Sequence, residues 1–121
     1  MAGKKTLVLG ASENPSRYSF LAIKKLRRFG HEVAAIGKKP GEVDDVVIRK
    51  GEQPLDNIDT VTLYLNPLHQ QQYYDYILSL KPKRIIFNPG AENPELSSLA
   101  RKNGILPVEA CTLVMLSTNQ Y

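Results

Sequence analysis

Thr6-Leu7-Val8-Leu9 is an apolar run too short for a helix, and it is halted at once by Gly10. Such a run reads as a strand buried on both faces, which occurs where helices cover both sides of a parallel sheet. The next periodic segment supports this. From Ser19 to Phe29 the apolar residues Ala22, Ile23, Leu26 and Phe29 recur at helical spacing, and Gly30 stands where a left-handed C-terminal cap is wanted. Strand, glycine turn, helix and glycine stop together predict the opening of a strand-helix-strand unit.

The rest of the chain repeats that alternation. Glu32 to Ile36 reads as the second strand, and Gly37-Lys38-Lys39-Pro40-Gly41 as a loop. Glu42 to Asp59 is the least legible stretch: Val46-Val47-Ile48 fits either a short strand or an extended segment. Asp59 to Leu65 reads as a strand, after which Asn66-Pro67 supplies a capping residue and a first-turn proline for a helix running to about Leu80. Arg84 to Phe87 is the next buried strand, Asn88-Pro89-Gly90 its exit, and Asn93-Pro94 a second cap-plus-proline start. That helix stops at Gly104, Ile105 to Val108 forms another strand, and the tail from Cys111 to Leu116 reads as a short helix. The expectation is one α/β domain over residues 1–121, Rossmann-like and three-layered, with a mostly parallel sheet of about five strands.

Composition narrows the function classes. The 121 residues suffice for one core, and 42% hydrophobic with 23% charged residues is ordinary for a globular chain. No apolar run approaches the length of a membrane span, and Met1 to Lys5 leads into a strand without a signal-type apolar region, so a cytoplasmic protein without a membrane role is expected. One cysteine and two histidines offer no metal-ligand spacing. The net charge of +4 raises the question of nucleic acid. Lys24, Lys25, Arg27 and Arg28, however, fall in the last turns of the first helix, where cations complement its dipole, and no basic patch interleaved with aromatics appears. No nucleic-acid partner is expected.

The residues that carry chemistry lie at the strand exits. Gly10-Ala11-Ser12-Glu13-Asn14-Pro15-Ser16 separates the first strand from the first helix, where helix-terminal amides receive a phosphate. Ser12 and Asn14 can donate side-chain hydrogen bonds there, and Arg17 can neutralise charge. The second and third glycines of the dinucleotide fingerprint are replaced by Ser12 and Pro15, so the motif alone is weak. After the second strand, dinucleotide sites place an acidic residue on a ribose hydroxyl or a basic one near a ribose phosphate. Here stand Gly37, Lys38 and Lys39: two lysines that fit NADP or coenzyme A better than NAD, or that belong to a solvated loop.

The whole chain resembles the CoA-binding domain family of small bacterial Rossmann proteins, related to the N-terminal domain of the succinyl-CoA synthetase α-subunit. The resemblance runs from Leu7-Val8-Leu9-Gly10-Ala11-Ser12, through Phe29-Gly30-His31-Glu32-Val33 and Phe87-Asn88-Pro89-Gly90-Ala91-Glu92-Asn93, to Gly104-Ile105 and Glu109-Ala110-Cys111. It implies a ligand lying across the strand C-termini, within reach of Gly10, Ala11, Ser12, Asn14, Arg17, Lys38, Lys39, Leu65, Asn66, Pro67, Asn88, Pro89 and Gly90. Gly37-Lys38-Lys39-Pro40 stands where many members carry Asn-Pro, and Leu65-Asn66-Pro67 where many carry an arginine-containing loop. The synthetases phosphorylate a histidine in a second domain that this chain lacks, and His69 reads as a surface residue.

Cys111 reads as a small buried residue, and helical spacing makes at least two of Tyr73, Tyr74 and Tyr76 packing residues rather than a stacking surface. The resemblance therefore implies non-catalytic binding of coenzyme A or an acyl-CoA through its ADP moiety, with room for an unidentified protein partner or a homo-oligomer. The alternatives are an NADP-linked or other nucleotide-dependent enzyme, and an interaction protein that has lost its ligand.

Overall fold

The computed structural model describes residues 3–121. Strand β1 (Thr6–Leu9) leads into helix α1 (Tyr18–Arg28) and strand β2 (Val33–Gly37). Gly30 closes α1 at φ +85°, the left-handed conformation that a glycine stop provides. Two short strands follow, β3 (Gly41–Val43) and β4 (Val46–Lys50), then β5 (Thr60–Leu63). The second half carries α2 (Pro67–Gln70), a 3-10 turn (Gln71–Tyr73), α3 (Tyr74–Leu80), β6 (Arg84–Phe87), α4 (Pro94–Lys102), β7 (Leu106–Glu109) and α5 (Thr112–Ser117).

These strands form one sheet in the order β3-β4-β2-β1-β5-β6-β7, parallel throughout except for β3 against β4. Every residue of β1 and β5 is buried. On one face, Leu7, Leu9, Val61, Leu63, Ile85 and Phe87 pack against Tyr76, Ile77, Leu96 and Ala100 of α3 and α4. On the other, Val8, Ala35 and Ile48 pack against Ile23, Leu26 and Leu116 of α1 and α5. The three-layer, mostly parallel architecture is as expected from the alternating pattern.

Among the described residues the sheet has seven strands rather than about five; the additions are β4, from the stretch that periodicity left open, and β3, which starts at the last residue of the expected Gly37–Gly41 loop. Val43 and Val46 pair across a two-residue turn made by Asp44 and Asp45, with Asp44 at φ +52°. Aspartate tolerates that left-handed conformation better than most residues. Helix α1 holds the turn through ion pairs from Lys24 to Asp44 at 2.9 Å and from Arg27 to Asp45 at 2.7 Å. Val43, Val46 and Ile48 then fall on the α1 face and are buried, whereas Val47 and Arg49 alternate to the other.

The segment expected to form one helix from Pro67 to Leu80 is broken by the 3-10 turn. At the break Gln70 is fully buried, its amide nitrogen donating to Leu65 O and Ala91 O at 2.8 Å each. Its Oε1 accepts from Asn93 Nδ2 at 2.9 Å, tying together the loops that follow β5 and β6.

Candidate functional site

Strand order reverses at β1. From β1 the chain steps to β2 on one side, and after β4 it returns to β5 on the other. Open α/β sheets bind ligands in a crevice at the C-terminal edge beside such a reversal.

The first wall of that crevice is the turn of residues 10–17. Gly10 adopts φ +96°, and a Cβ there would meet the Tyr64 carbonyl carbon at 2.9 Å, so only glycine fits beside β5. The Gly10 and Ala11 amides both donate to Ile36 O at 2.9 Å and are thereby consumed in joining the turn to β2. Ser12 Oγ accepts from Asn14 N, and Asn14 Oδ1 accepts from Ser16 N at 3.0 Å and Ser16 Oγ at 2.8 Å. Arg17 is exposed and occupies the cap position of α1 without a side-chain capping bond. Among the described residues, the amides of Ser12, Glu13, Tyr18 and Ser19 have no intramolecular acceptor. Ser12 is half-buried, Glu13 and Tyr18 are exposed and Ser19 is buried, and the last two amides stand at the positive end of an 11-residue helix, the end that favours an anion.

The second wall is the end of β2. A Cβ on Gly37 would run into the Ala11 carbonyl oxygen, so β2 and the turn are in backbone contact. Lys38 and Lys39 follow, both exposed. Register places Arg49 beside Ile36 and Lys50 beside Gly37, which brings two further cations to the same edge. Among the described residues none of these four is in an ion pair.

Sequence reading missed Glu13. Its Oε2 accepts from Glu42 N at 3.2 Å, which carries a carboxylate from the β1 turn across to the start of β3. An acidic group thus stands just past the loop that follows β2, supplied from another element, and the residues of β2 gave no sign of it.

On the far side of β1 the predicted residues divide. Leu65 is half-buried, while Asn66 and Pro67 are exposed, and Asn66 Oδ1 caps α2 by accepting from His69 N at 3.0 Å. Pro89 and Gly90 are exposed beside them. Asn88, by contrast, is buried, with every polar atom of its side chain engaged. Its Nδ2 donates to Thr62 Oγ1 at 2.7 Å and Leu63 O at 2.9 Å, and its Oδ1 accepts from Thr112 N at 2.8 Å. It supplies the cap that Cys111, the N-terminal flanking residue of α5, does not. Cys111 is partly exposed rather than buried as expected, and nearby Tyr64 carries a buried hydroxyl whose pKa desolvation pushes up. The structure therefore groups Ser12, Asn14, Arg17, Lys38 and Lys39 on one side of β1, and the exposed Asn66, Pro67, Pro89 and Gly90 on the other. From β2 to β5 is two strand spacings, or about 10 Å, a span suited to a nucleotide diphosphate. Among the described residues no cluster of metal-ligating side chains occurs, and no helix is long and apolar enough to cross a membrane.

A family model described as a CoA binding domain matches residues 4–117, nearly the whole chain. The protein belongs to the CoA-binding domain family. Within it, a crystal structure of a protein described only as uncharacterized is 51% identical over the full length of both chains, with a TM-score of 0.96. A hypothetical protein from Pyrococcus horikoshii OT3 is 24% identical with a TM-score of 0.86, covering 96% of this chain and 83% of its own. The acetyl-coenzyme A synthetase 1 of Ca. Korarchaeum cryptofilum, solved with phosphate and ADP, is 18% identical with a TM-score of 0.69. That match covers 89% of this CoA-binding domain and 26% of the synthetase. The last two likenesses bear on the fold alone. No curated protein matches the chain significantly.

Proposed function

We propose that this CoA-binding domain holds coenzyme A or an acyl-CoA through its ADP portion, without catalysing a reaction on it. The observation that carries the reading is the set of unengaged amides of Ser12, Glu13, Tyr18 and Ser19 beside the β1 switch point. They receive the diphosphate, the cations at the β2 exit face the ribose phosphate, and the pantetheine arm crosses the exposed Asn66-Pro67 and Pro89-Gly90 loops. Asn88 acts as scaffold beneath those loops. Family membership supports the ligand class.

A second reading has its own support. Glu13, held at the start of β3 just past the loop that follows β2, is the kind of group that accepts a hydrogen bond from an unphosphorylated ribose, as in NAD sites. A thermal-shift comparison separates the two. Ligand at about 100 times its dissociation constant stabilises the fold by ~2.7 kcal/mol, a readily resolved shift. Coenzyme A is expected to raise the melting temperature and NAD to leave it unchanged; a shift with NAD equal to that with coenzyme A favours the second reading.

A further inference from the structure

The connection from β4 to β5 runs through residues 51–59 without a helix, although parallel crossovers in a sheet covered on both faces ordinarily carry one. The sheet face above β2 and β4 is consequently open, and Val47, an apolar residue, is 48% exposed on it. Two adjoining cavities of about 620 and 300 Å³ occupy the space and share Val47, Arg49 and Gln53. The larger also touches Glu13, so it borders the phosphate turn, and it lies open to solvent as a shallow hollow rather than an enclosed pocket.

Gln53 is held unusually firmly for a residue in a crossover loop. Its backbone N–H donates to Tyr76 Oη at 3.3 Å, and its carbonyl accepts from the same hydroxyl at 2.7 Å. Its side-chain nitrogen donates to Lys50 O at 3.2 Å and Gly51 O at 3.3 Å. Both amide protons being committed, the side chain offers the cavities only its oxygen, an acceptor with no donor among the described residues.

We infer that the larger cavity receives the adenine end of the ligand and that Gln53 Oε1 selects a base carrying an amino group. The inference rests on the reading of function above and names the base-recognition residue of that site. Val47 supplies an apolar floor, and the Arg49 guanidinium can stack on a base plane. An amino group at purine position 6 donates to Gln53 Oε1, whereas a keto oxygen there sets acceptor against acceptor. An acyl chain suits the cavity poorly, because Glu13, Glu42, Arg49 and Lys50 line its mouth.

The test compares ADP with inosine 5′-diphosphate by calorimetry on the full chain. One neutral hydrogen bond at a partly open site is worth a factor of ~10 or somewhat less, so the unmodified protein is expected to prefer ADP by about that factor. Gln53→Leu should bring the two affinities together while still binding both. Equal binding by the unmodified protein, or a preference that survives Gln53→Leu, overturns the inference. Should Gln53→Leu fail to fold, Val47→Glu at its half-exposed position carries the test: it should weaken both diphosphates, and unaltered ADP affinity overturns the inference. Coenzyme A binding without base preference removes this inference alone, whereas absence of binding by coenzyme A and ADP together removes the reading of function as well.

Discussion

Replacing Asn88 by alanine should destabilise the fold far more than it perturbs any contact made by the ligand. The side chain is 2% exposed and joins three elements through Thr62 Oγ1, Leu63 O and Thr112 N. Thr62 keeps its partner in Thr112 Oγ1 at 2.8 Å, and Leu63 O is a strand carbonyl with a second lone pair. The uncompensated loss is the Thr112 amide at the first turn of α5, in a buried setting. An orphaned buried donor costs ~1–3 kcal/mol, and the void left by the missing carboxamide adds to it, giving ~2–4 kcal/mol in all. Urea denaturation followed by circular dichroism measures this directly, with the midpoint falling at an unchanged slope. A loss under ~1 kcal/mol would refute the reasoning, since it would mean that α5 is capped by other means and that Asn88 is free to serve the ligand.

Gly10→Val should cost stability and not merely ligand affinity, because the residue sits at φ +96° against the Tyr64 backbone; an unchanged melting temperature would contradict the packing described. Replacing Lys38 and Lys39 together by alanine should weaken coenzyme A by ~10-fold at moderate salt, the charge-assisted bonds being exposed and screened. Dephospho-coenzyme A should bind both proteins alike, and a coupling near zero in that four-membered cycle would make the lysines a solvated loop.

His31 supplies the pH dependence. Burial, then Lys4 and Arg84, hold its pKa below the ordinary histidine value, and Nδ1 accepts from Lys4 N at 2.9 Å. The unfolded chain therefore binds the proton more readily. Stability is full above about pH 6.5 and declines as pH falls through that value toward the lower folded pKa. Melting curves between pH 7.5 and 5 should show the decline, and His31→Asn should flatten it; an equal slope in the variant assigns the dependence to other groups.

The parts of the fold legible in the sequence were those whose signal is local. The doubly buried β1 run, the Gly30 stop and the Asn-Pro starts of α2 and α4 each depend on a few adjacent residues, and Asn66 and Asn93 do cap their helices. The β3-β4 pair was not legible, because its turn depends on Asp44 and Asp45 being held by Lys24 and Arg27, some twenty residues earlier in the chain. The same holds for the site. The glycine turn and the lysines announce themselves by position, whereas the capture of the Gly10 and Ala11 amides by Ile36, the reach of Glu13 to Glu42 and the burial of Gln70 arise only when distant segments meet. Asn88 shows the reverse case: it lies in a conspicuous Asn-Pro-Gly exit, yet its side chain turns inward to α5.

On the proposed function, a phosphate of the ligand is received by the unengaged amides of the β1 turn and the start of α1. Amide chemical-shift mapping of the 15N-labelled protein during titration with coenzyme A tests it most directly. The largest shifts are expected on Ser12, Glu13, Tyr18 and Ser19, following one saturating curve. Saturable shifts confined to other parts of the sheet, or no shifts at all at millimolar coenzyme A, would contradict it.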